Sequence, residues 1–356
     1  MTGTKFFDWR AAGAALFILS IAGSVAEAAP CIKVSLTGTQ GGPPVFKGQA
    51  GSGTLVSYGD ESNRCGAVYL QFDTGRGTTQ QLSKLGVPVG KLTAIFFTHL
   101  HSDHTEGLAD MMQLRWHFRS AGPKVDLVCS SDIKSPLGHT LSCEKYARHV
   151  GDALIQSGEM AQRLAENKKR LAGGPADLID VKTFDPEATA ETVWSSGDVT
   201  VSAVKSRHIP GHASYRVDTP AGSVVIGGDA GNDSPKPPRP SSTSAQVETL
   251  AKDADILVHS TIHPVMGPDK DSGFPPPIYF RQSTATDLGA LAKRAGVKHL
   301  MLTHLIPPMG AKKQGPYPIP GGALSEADYK NAVEDSGYSG NVIVGTDLAT
   351  ITLPAR

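Results

Sequence analysis

A dense run of histidines with one aspartate is the feature that most constrains this chain. Residues 99–104 read His-Leu-His-Ser-Asp-His and directly follow an apolar run at 92–97. Because that run is short and apolar, it predicts a buried strand, and the helical spacing of apolar residues over 105–114 predicts a helix after the motif. Imidazole nitrogens and a carboxylate this close together suit a borderline divalent cation such as zinc. The motif therefore predicts a metal site on a strand-to-helix turn.

The balance of charges bears on the partners of the chain. Its 356 residues contain 34 Lys and Arg against 34 Asp and Glu, so the formal net charge is zero. A chain without a basic excess lacks the usual electrostatic footprint of a nucleic-acid-binding protein. We therefore expect a small-molecule substrate and no nucleic-acid partner, and the oligomeric state stays open.

The N-terminal residues have the pattern of a secretory signal peptide. Lys5 and Arg10 precede an apolar stretch at 11–26, and small residues follow it. This order predicts cleavage after Ala28 or Ala29. A retained membrane anchor is disfavoured because the stretch is short for a bilayer. We expect a periplasmic or secreted protein with no membrane anchor after cleavage.

The remaining residues read as one large α/β domain. We expect a signal peptide at 1–29, a domain at 30–356, and a polar, largely helical insertion at about 130–182 that is a candidate substrate lid. Apolar patterns predict strands at 68–72, 92–97, 199–204, 214–218, 223–226, 256–258, 299–303, 342–344 and 349–353, and helices at 79–85 and 286–295. Two halves that each mix strands and helices predict a four-layer sandwich of helices, two sheets and helices.

Four cysteines remain after the predicted cleavage, namely Cys31, Cys65, Cys129 and Cys143. An even number in an exported chain predicts disulfide bonds rather than thiolate ligands. Cys129 and Cys143 bracket a short polar loop, which favours that pair and leaves Cys31 with Cys65. All three connectivities stay open at this point.

Candidate metal ligands also follow later predicted strands. Asp229 comes after the strand at 223–226, and His304 comes after the strand at 299–303. His208 and His212 both follow the strand that ends near Arg207. Together with the motif, these side chains would complete a site in which two cations share one carboxylate.

With these motifs the chain resembles the metallo-β-lactamase superfamily. The matching segments are 97–104, the Gly211 region, 227–229 and 302–304. Within the superfamily the chain is most similar to the arylsulfatase and ribonuclease Z branch, as the Asp-Thr-Gly-Arg-Gly-Thr segment that begins at Asp73 indicates. The resemblance implies a four-layer αββα hydrolase fold from about Gly48 onward.

The resemblance also implies a ligand set and the metal that it holds. His99, His101 and His208 would bind one ion, Asp103, His104 and His304 a second, and Asp229 would bridge them. His208 is preferred because the ribonuclease Z branch places this ligand seven residues before an aromatic residue, here Tyr215, whereas other branches use the Pro-Gly-His histidine, here His212. The implied cofactors are two Zn²⁺ ions, with iron or manganese as alternatives. A water that they share would lose a proton near neutral pH, since its pKa falls from about 15.7 towards about 7, and the bridging hydroxide would attack an ester.

The sequence departs from ribonuclease Z where that branch places a proton-donating pair. Ser260 and Gln282 stand at those positions. A missing general acid disfavours a poor leaving group, so we expect an arylsulfatase-like hydrolase of a sulfate or phosphate ester. We assign catalytic roles to Asp103, His212 and His263, with the two histidines as candidates for proton transfer, and His259 as a further candidate.

Three other functions stay open. The first is hydrolysis of a β-lactam or a lactone, which ligation by His212 would favour. The second is an iron-dependent oxidoreductase on the same scaffold, and the third is a non-catalytic binding protein. In each case Asp73 is a candidate to orient a ligand imidazole, because such ligands need a partner for their second nitrogen.

Overall fold

The computed structural model describes residues 1–4, 28–119, 122–166, 169–170, 173–234 and 236–353. The predicted signal peptide falls mostly on 5–27, outside the described residues, so the peptide and the location that it implies stay predictions. Within the described ranges, no helix combines the length and the apolar character needed to cross a bilayer.

The described residues alternate between strands and helices. The strands are β1 (Pro30–Gly38), β2 (Gly53–Asp60), β3 (Val68–Phe72), β4 (Ala94–Phe96), β5 (Val125–Ser130), β6 (Ile133–Lys134), β7 (Thr140–Leu141), β8 (Ile179–Phe184), β9 (Glu191–Ser196), β10 (Val199–Lys205), β11 (Ala213–Thr219), β12 (Gly222–Ile226), β13 (Ile256–Ile262), β14 (His299–Ile306), β15 (Lys313–Gln314), β16 (Tyr317–Pro318), β17 (Asn341–Val344) and β18 (Thr350–Leu353). The helices are α1 (Thr78–Lys84), α2 (Ser102–Thr105), α3 (Leu108–Arg119), α4 (Cys143–Gln156), α5 (Met160–Glu166), α6 (Ala245–Leu250), α7 (Pro276–Tyr279), α8 (Ala285–Ala295) and α9 (Glu326–Glu334).

Two seven-stranded sheets carry the site at the carboxyl ends of their parallel strands. The first has the order β18-β1-β2-β3-β4-β5-β8 and the second the order β17-β14-β13-β12-β11-β10-β9. Strands β3, β4, β5 and β8 are parallel neighbours, as are β12, β13, β14 and β17. The carboxyl ends of parallel strands meet at one edge, which is where α/β sheets bind ligands.

The main core lies between the two sheets. Phe72 and Phe96 stack with ring centroids 4.6 Å apart, and Tyr215 of the second sheet packs on both rings. The hydroxyl of Tyr215 donates a hydrogen bond to the Phe97 carbonyl at 2.7 Å. This buried bond joins the second sheet to the backbone just before the histidine motif.

Helices cover both outer faces, which confirms the predicted four-layer sandwich. Side chains of α1, α3 and α4 pack on the first sheet, and those of α6, α8 and α9 pack on the second. The prediction for α8 was accurate because its signals are local: Thr284 caps the N-terminus, Leu288 and Leu291 are buried, and Gly296 ends the helix with φ of 71°.

The predicted insertion differs in part from the structure. Its last residues are not helical but form β8, which is the edge strand of the first sheet. Because one side of an edge strand faces solvent, β8 is mostly polar and lacks an apolar strand pattern. Helix α4 buries Cys143 and Ala147 in the outer helical layer, so it does not act as a lid in this structure.

Both favoured disulfide pairs are present, Cys31–Cys65 and Cys129–Cys143. The second bond joins β5 to the start of α4 across 14 positions. We expect the double variant Cys129→Ser/Cys143→Ser to lose about 3 kcal/mol of unfolding free energy, because a loop of this length becomes unconstrained in the unfolded chain. Urea titration of both proteins measures the loss. Equal midpoints for the two proteins would contradict the prediction.

Candidate metal centre

The turn after β4 presents several candidate ligands at one point. His101 has extended backbone and precedes the one-turn helix α2, in which Asp103 and His104 are buried. His99 is also buried, with 2% of its surface exposed. The predicted strand-to-helix turn is therefore present, with a short helix inserted before α3.

The second sheet supplies three more candidate ligands at the same edge. His208 lies in the loop between β10 and β11, and Asp229 follows β12. His304 lies within β14 at a β-bulge: Ser260 pairs with Thr303 and Thr261 with Leu305, so His304 is the extra residue. Its φ of 46° is left-handed. The bulge accounts for the difference from the sequence prediction, in which the strand ended at Thr303.

Three imidazole nitrogens form the first group of ligand atoms. His99 Nε2 lies 2.9 Å from His101 Nδ1, which lies 3.3 Å from His208 Nε2. In a tetrahedral zinc site with Zn–N bonds of about 2.0–2.1 Å, neighbouring ligand atoms are roughly 3.3 Å apart. These spacings are those of a site that can hold a cation.

A second group lies beside the first, and Asp229 lies between them. Asp103 Oδ2 is 3.0 Å from His304 Nε2 and 3.7 Å from His104 Nε2. Asp229 Oδ2 is 3.6 Å from His208 Nε2, 3.5 Å from His104 Nε2 and 3.4 Å from His304 Nε2. One carboxylate thus contacts members of both groups, which is the geometry that a bridging ligand requires.

Two buried atoms test whether this set fits metal ions. His104 Nε2 and Asp229 Oδ1 have no hydrogen-bond partner among the described residues. Leaving buried polar atoms without a partner is costly, and a divalent cation would provide the missing partner. Imidazoles and carboxylates are ligands that zinc, iron and manganese accept. The residues therefore fit metal ions.

The protonation states of the first group also suit a cation. Burial lowers the pKa of His99, and it lowers the pKa of His208 to about 3. Both rings are therefore neutral at pH 7 and have a lone pair for a cation. Burial opposes the ionisation of Asp229, but the neighbouring His304 and His104 hold its pKa well below its ordinary value.

Asp73 orients two of the imidazoles. Its Oδ2 accepts hydrogen bonds from His104 Nδ1 and from the Thr98 hydroxyl, each at 2.8 Å. The same hydroxyl lies 3.0 Å from His99 Nδ1, from which it can accept. Both rings are thereby held in the tautomer whose Nε2 is free to bind a cation. The predicted orienting contact of Asp73 is present and extends to a second ring.

His212 lies behind the ligands, with both ring nitrogens hydrogen-bonded. Its Nδ1 is 2.8 Å from Ser206 Oγ, and its Nε2 accepts a hydrogen bond from the Asp229 backbone N–H at 3.1 Å. His208, in contrast, directs Nε2 at the first group. The geometry thus favours His208 as the ligand, and it gives His212 contacts that position Asp229.

Substitution separates these two roles. We expect His208→Ala to lose one equivalent of bound metal, because it removes a ligand atom of the first group. His212→Gln should retain both equivalents, because its amide replaces a contact to the backbone. Elemental analysis after gel filtration gives the metal content, with His139→Ala as a control. Metal loss in His212→Gln with full occupancy in His208→Ala would reverse the assignment.

The other candidates for proton transfer, His263 and His259, each form a hydrogen bond with the backbone through Nδ1. His263 accepts a hydrogen bond from the Val265 N–H, and its ring packs on Tyr329. The structure therefore does not bring His263 to the ligand groups. His259 is fully buried and donates Nδ1–H to the Ser260 carbonyl at 2.7 Å. Of the three residues given catalytic roles, Asp103 alone belongs to a group that could hold a metal ion.

A cavity of about 580 Å³ opens above the ligands. Asp103, Asp229 and His304 border it on one side. Of the described residues in the predicted lid at 130–182, none lines this cavity. Its other walls come from the β1–β2 loop, the segment around α7, and the β15–β16 hairpin, and they include Pro43, Phe274, Ile278, Arg281, Gln282, Gln314 and Tyr317.

Three residues of the site, Thr98, Ser206 and Arg281, were not predicted from the sequence. The first two had a weak signal, because each is a hydroxyl residue within two positions of a predicted ligand. Arg281 had none, since only the folding of the α7 segment brings it to the cavity.

Comparisons with known proteins agree with this geometry. A family model described as "Anti-Pycsar protein Apyc1" matches residues 64–268. The ribonuclease Z of Mycobacterium bovis (strain BCG / Pasteur 1173P2) is 27% identical over 327 residues, which cover 91% of this chain and 99% of that protein.

Solved structures show the same fold. The metallo-β-lactamase fold protein YhfI from Bacillus subtilis matches with a TM-score of 0.57 at 20% identity, covering 91% of this chain and 99% of that one. The short form of human tRNase Z matches with a TM-score of 0.55 at 18% identity, covering 90% and 99%. The predicted metallo-β-lactamase fold is confirmed.

The relatives overturn two predictions. They are ribonucleases, so the prediction of an arylsulfatase-like hydrolase of a small sulfate or phosphate ester is wrong, and with it go the lactam, lactone and oxidoreductase alternatives. The prediction of no nucleic-acid partner is contradicted as well. The net charge describes the whole surface and does not report the charge inside one cavity. The missing proton-donating pair at Ser260 and Gln282 affects which leaving groups can depart, but it does not determine which type of bond is cleaved.

Proposed function

Because the chain belongs to the family described as Anti-Pycsar protein Apyc1 and is a metallo-β-lactamase superfamily hydrolase of the ribonuclease Z-like branch, we propose that it is a metal-dependent phosphodiesterase that cleaves RNA. The observation that carries the proposal is the convergence of candidate ligands from both sheets on the Asp229 carboxylate. The ribonuclease Z relatives, which match over nine-tenths of the chain, support RNA as the substrate.

The ligand set divides between two zinc ions. His99, His101 and His208 would hold one ion, Asp103, His104 and His304 the other, and Asp229 both. When bound, such a pair supplies an acidified water, with a pKa near 7, and a positive charge for the phosphoryl oxygens. The two groups share one carboxylate, so the loss of Asp229 affects both.

The protein itself orients the ligand imidazoles and encloses the site in a partly apolar cavity. Asp73 and Thr98 fix the rings of His99 and His104. Asp103 stays ionised at the cavity wall, since His104 and His304 hold its pKa below its ordinary value against the effect of burial. It can therefore accept a hydrogen bond from an attacking water at that wall.

Protonation of the leaving oxygen is the step for which this site is least equipped. Ser260 and Gln282 are buried at the expected positions, and neither titrates near neutral pH. The amide of Gln282 can donate a hydrogen bond to a leaving oxygen but cannot transfer a proton. We therefore expect faster cleavage of diesters with good leaving groups than of unactivated RNA, by about 10²–10⁴-fold.

The test is an assay on protein of measured metal content. Zinc-, manganese- and iron-loaded samples are incubated with a labelled RNA that has a single-stranded 3′ extension, its DNA counterpart, and bis-p-nitrophenyl phosphate. We expect cleavage of the RNA and of the chromogenic diester, and none by the double variant His99→Ala/His101→Ala. If fully loaded protein leaves every phosphodiester intact, the proposal is overturned.

A further inference from the structure

Arg281 is the positive side chain of the cavity. Among the described residues that line it, no other Lys or Arg is found. Among the described residues, the Nε of Arg281 is buried without a hydrogen-bond partner. An unpartnered buried donor is costly, which indicates an acceptor that comes from outside the protein.

Arg281 lies beside the first group of ligands. The backbone carbonyl of Arg281 accepts a hydrogen bond from His208 Nδ1 at 3.4 Å. Arg281 also lines the cavity that Asp103, Asp229 and His304 border. Its positive charge is therefore available to a phosphate bound at the ligands.

Another wall of the same cavity is aromatic. The rings of Phe274 and Tyr317 meet edge to face with centroids 5.4 Å apart. Ile278 and Pro316 extend this surface, and the Gln314 side chain adds a polar group. A wall of this kind suits a nucleobase, because every base has a flat face that packs on aromatic rings and edges that accept hydrogen bonds.

We propose that Arg281 binds the phosphate that is cleaved and that the surface of Phe274 and Tyr317 binds the adjoining nucleobase. The inference rests on the proposed function and names the part of the substrate that the cavity selects. A guanidinium donates two parallel hydrogen bonds to a phosphate. A volume of about 580 Å³ accommodates one nucleotide, which suits an unpaired end of a strand.

Arginine variants test the phosphate contact. Arg281→Met should lower kcat/KM for bis-p-nitrophenyl phosphate by about 10- to 100-fold, the usual range for a hydrogen bond to a charged group. Arg281→Lys should recover part of the loss, because lysine keeps the positive charge but cannot donate two parallel hydrogen bonds to the phosphate. The matched control is Arg207→Met, which makes the same charge change at an exposed residue next to His208 and should behave as the wild type.

Tyrosine variants test the base contact. Tyr317→Ala should lower kcat/KM for thymidine 5′-monophosphate p-nitrophenyl ester by about tenfold, and it should leave methyl p-nitrophenyl phosphate unchanged because that diester has neither a base nor a second aromatic ring. Tyr317→Phe keeps the ring and should match the wild type. An equal loss on both diesters would show that the substitution disturbs the site as a whole, and it would overturn the base contact.

Calorimetric binding separates this inference from the proposed function. Uridine 5′-monophosphate should bind the wild type more tightly than uridine does, and Arg281→Met should remove that difference. If no diester is hydrolysed but this pattern holds, the proposed function fails and the nucleotide site stands. If diesters are hydrolysed while Arg281→Met equals Arg207→Met in rate and binding, the inference fails and the proposed function stands. Equal weakening of uridine and its phosphate by Arg281→Met would also overturn it.

Discussion

Asp229→Asn is expected to lower kcat/KM for a phosphodiester by roughly 10³-fold or more, since paired metal ions contribute several kcal/mol to the stabilisation of transition-state charge and each 1.36 kcal/mol is tenfold in rate. The amide matches the carboxylate in size but has no negative charge to share between two cations. In the native site, Oδ2 of the Asp229 carboxylate lies 3.4–3.6 Å from the Nε2 atoms of three candidate ligands. We expect the bound metal to fall by at least one equivalent in the same variant.

The matched control is Asp233→Asn, an exposed aspartate four positions further along that accepts a hydrogen bond from Gln246. It should keep the activity and the metal of the wild type. Steady-state rates and elemental analysis on the same preparations provide both readings. Retention of both metal equivalents and near-native rates in Asp229→Asn would remove Asp229 from the centre of the site.

Asp73→Ala is expected to have the next largest effect, although Asp73 is not a candidate ligand. The change leaves His104 Nδ1 and the Thr98 N–H without their buried acceptor. Removing one partner of a buried pair costs about 3–5 kcal/mol, and losing the orientation of a ligand imidazole costs about 10- to 100-fold in metal affinity. Urea unfolding of the metal-free protein and zinc titration with a competing chelator measure the two effects separately.

Thr98→Val refines this test because it removes the hydroxyl link to His99 and leaves the His104 contact intact. It should weaken metal binding less than Asp73→Ala does. A larger loss of metal affinity in Thr98→Val than in Asp73→Ala would be incompatible with one carboxylate orienting both imidazole rings.

The sequence predicted the parts of the site that depend on local pattern. The motif at 99–104 is contiguous, so its turn and its residues could be located without knowledge of the rest of the fold. His208 could be preferred over His212 from its distance to Tyr215, and in the structure its Nε2 lies 3.3 Å from His101 Nδ1. Asp229 could be placed because a buried strand precedes it.

The remaining features depend on contacts between distant segments. The bulge at His304 arises from pairing with β13, which no local pattern reports. Arg281 reaches the cavity only because the segment around α7 folds over the sheet edge. The substrate could not be predicted from the ligands, because one set of imidazoles and carboxylates can serve many esters.

The origin of the ligands in both sheets also bears on how long the folded chain lasts. Asp103 and His304, whose side chains meet at 3.0 Å, are 201 positions apart. An ion held between them is captured only after both sheets have assembled, so it contributes little to the folding transition state. Interactions that form late slow unfolding more than they speed folding. Metal supply would therefore set the lifetime of this protein through its unfolding rate, while the rate at which new chains fold would hardly change.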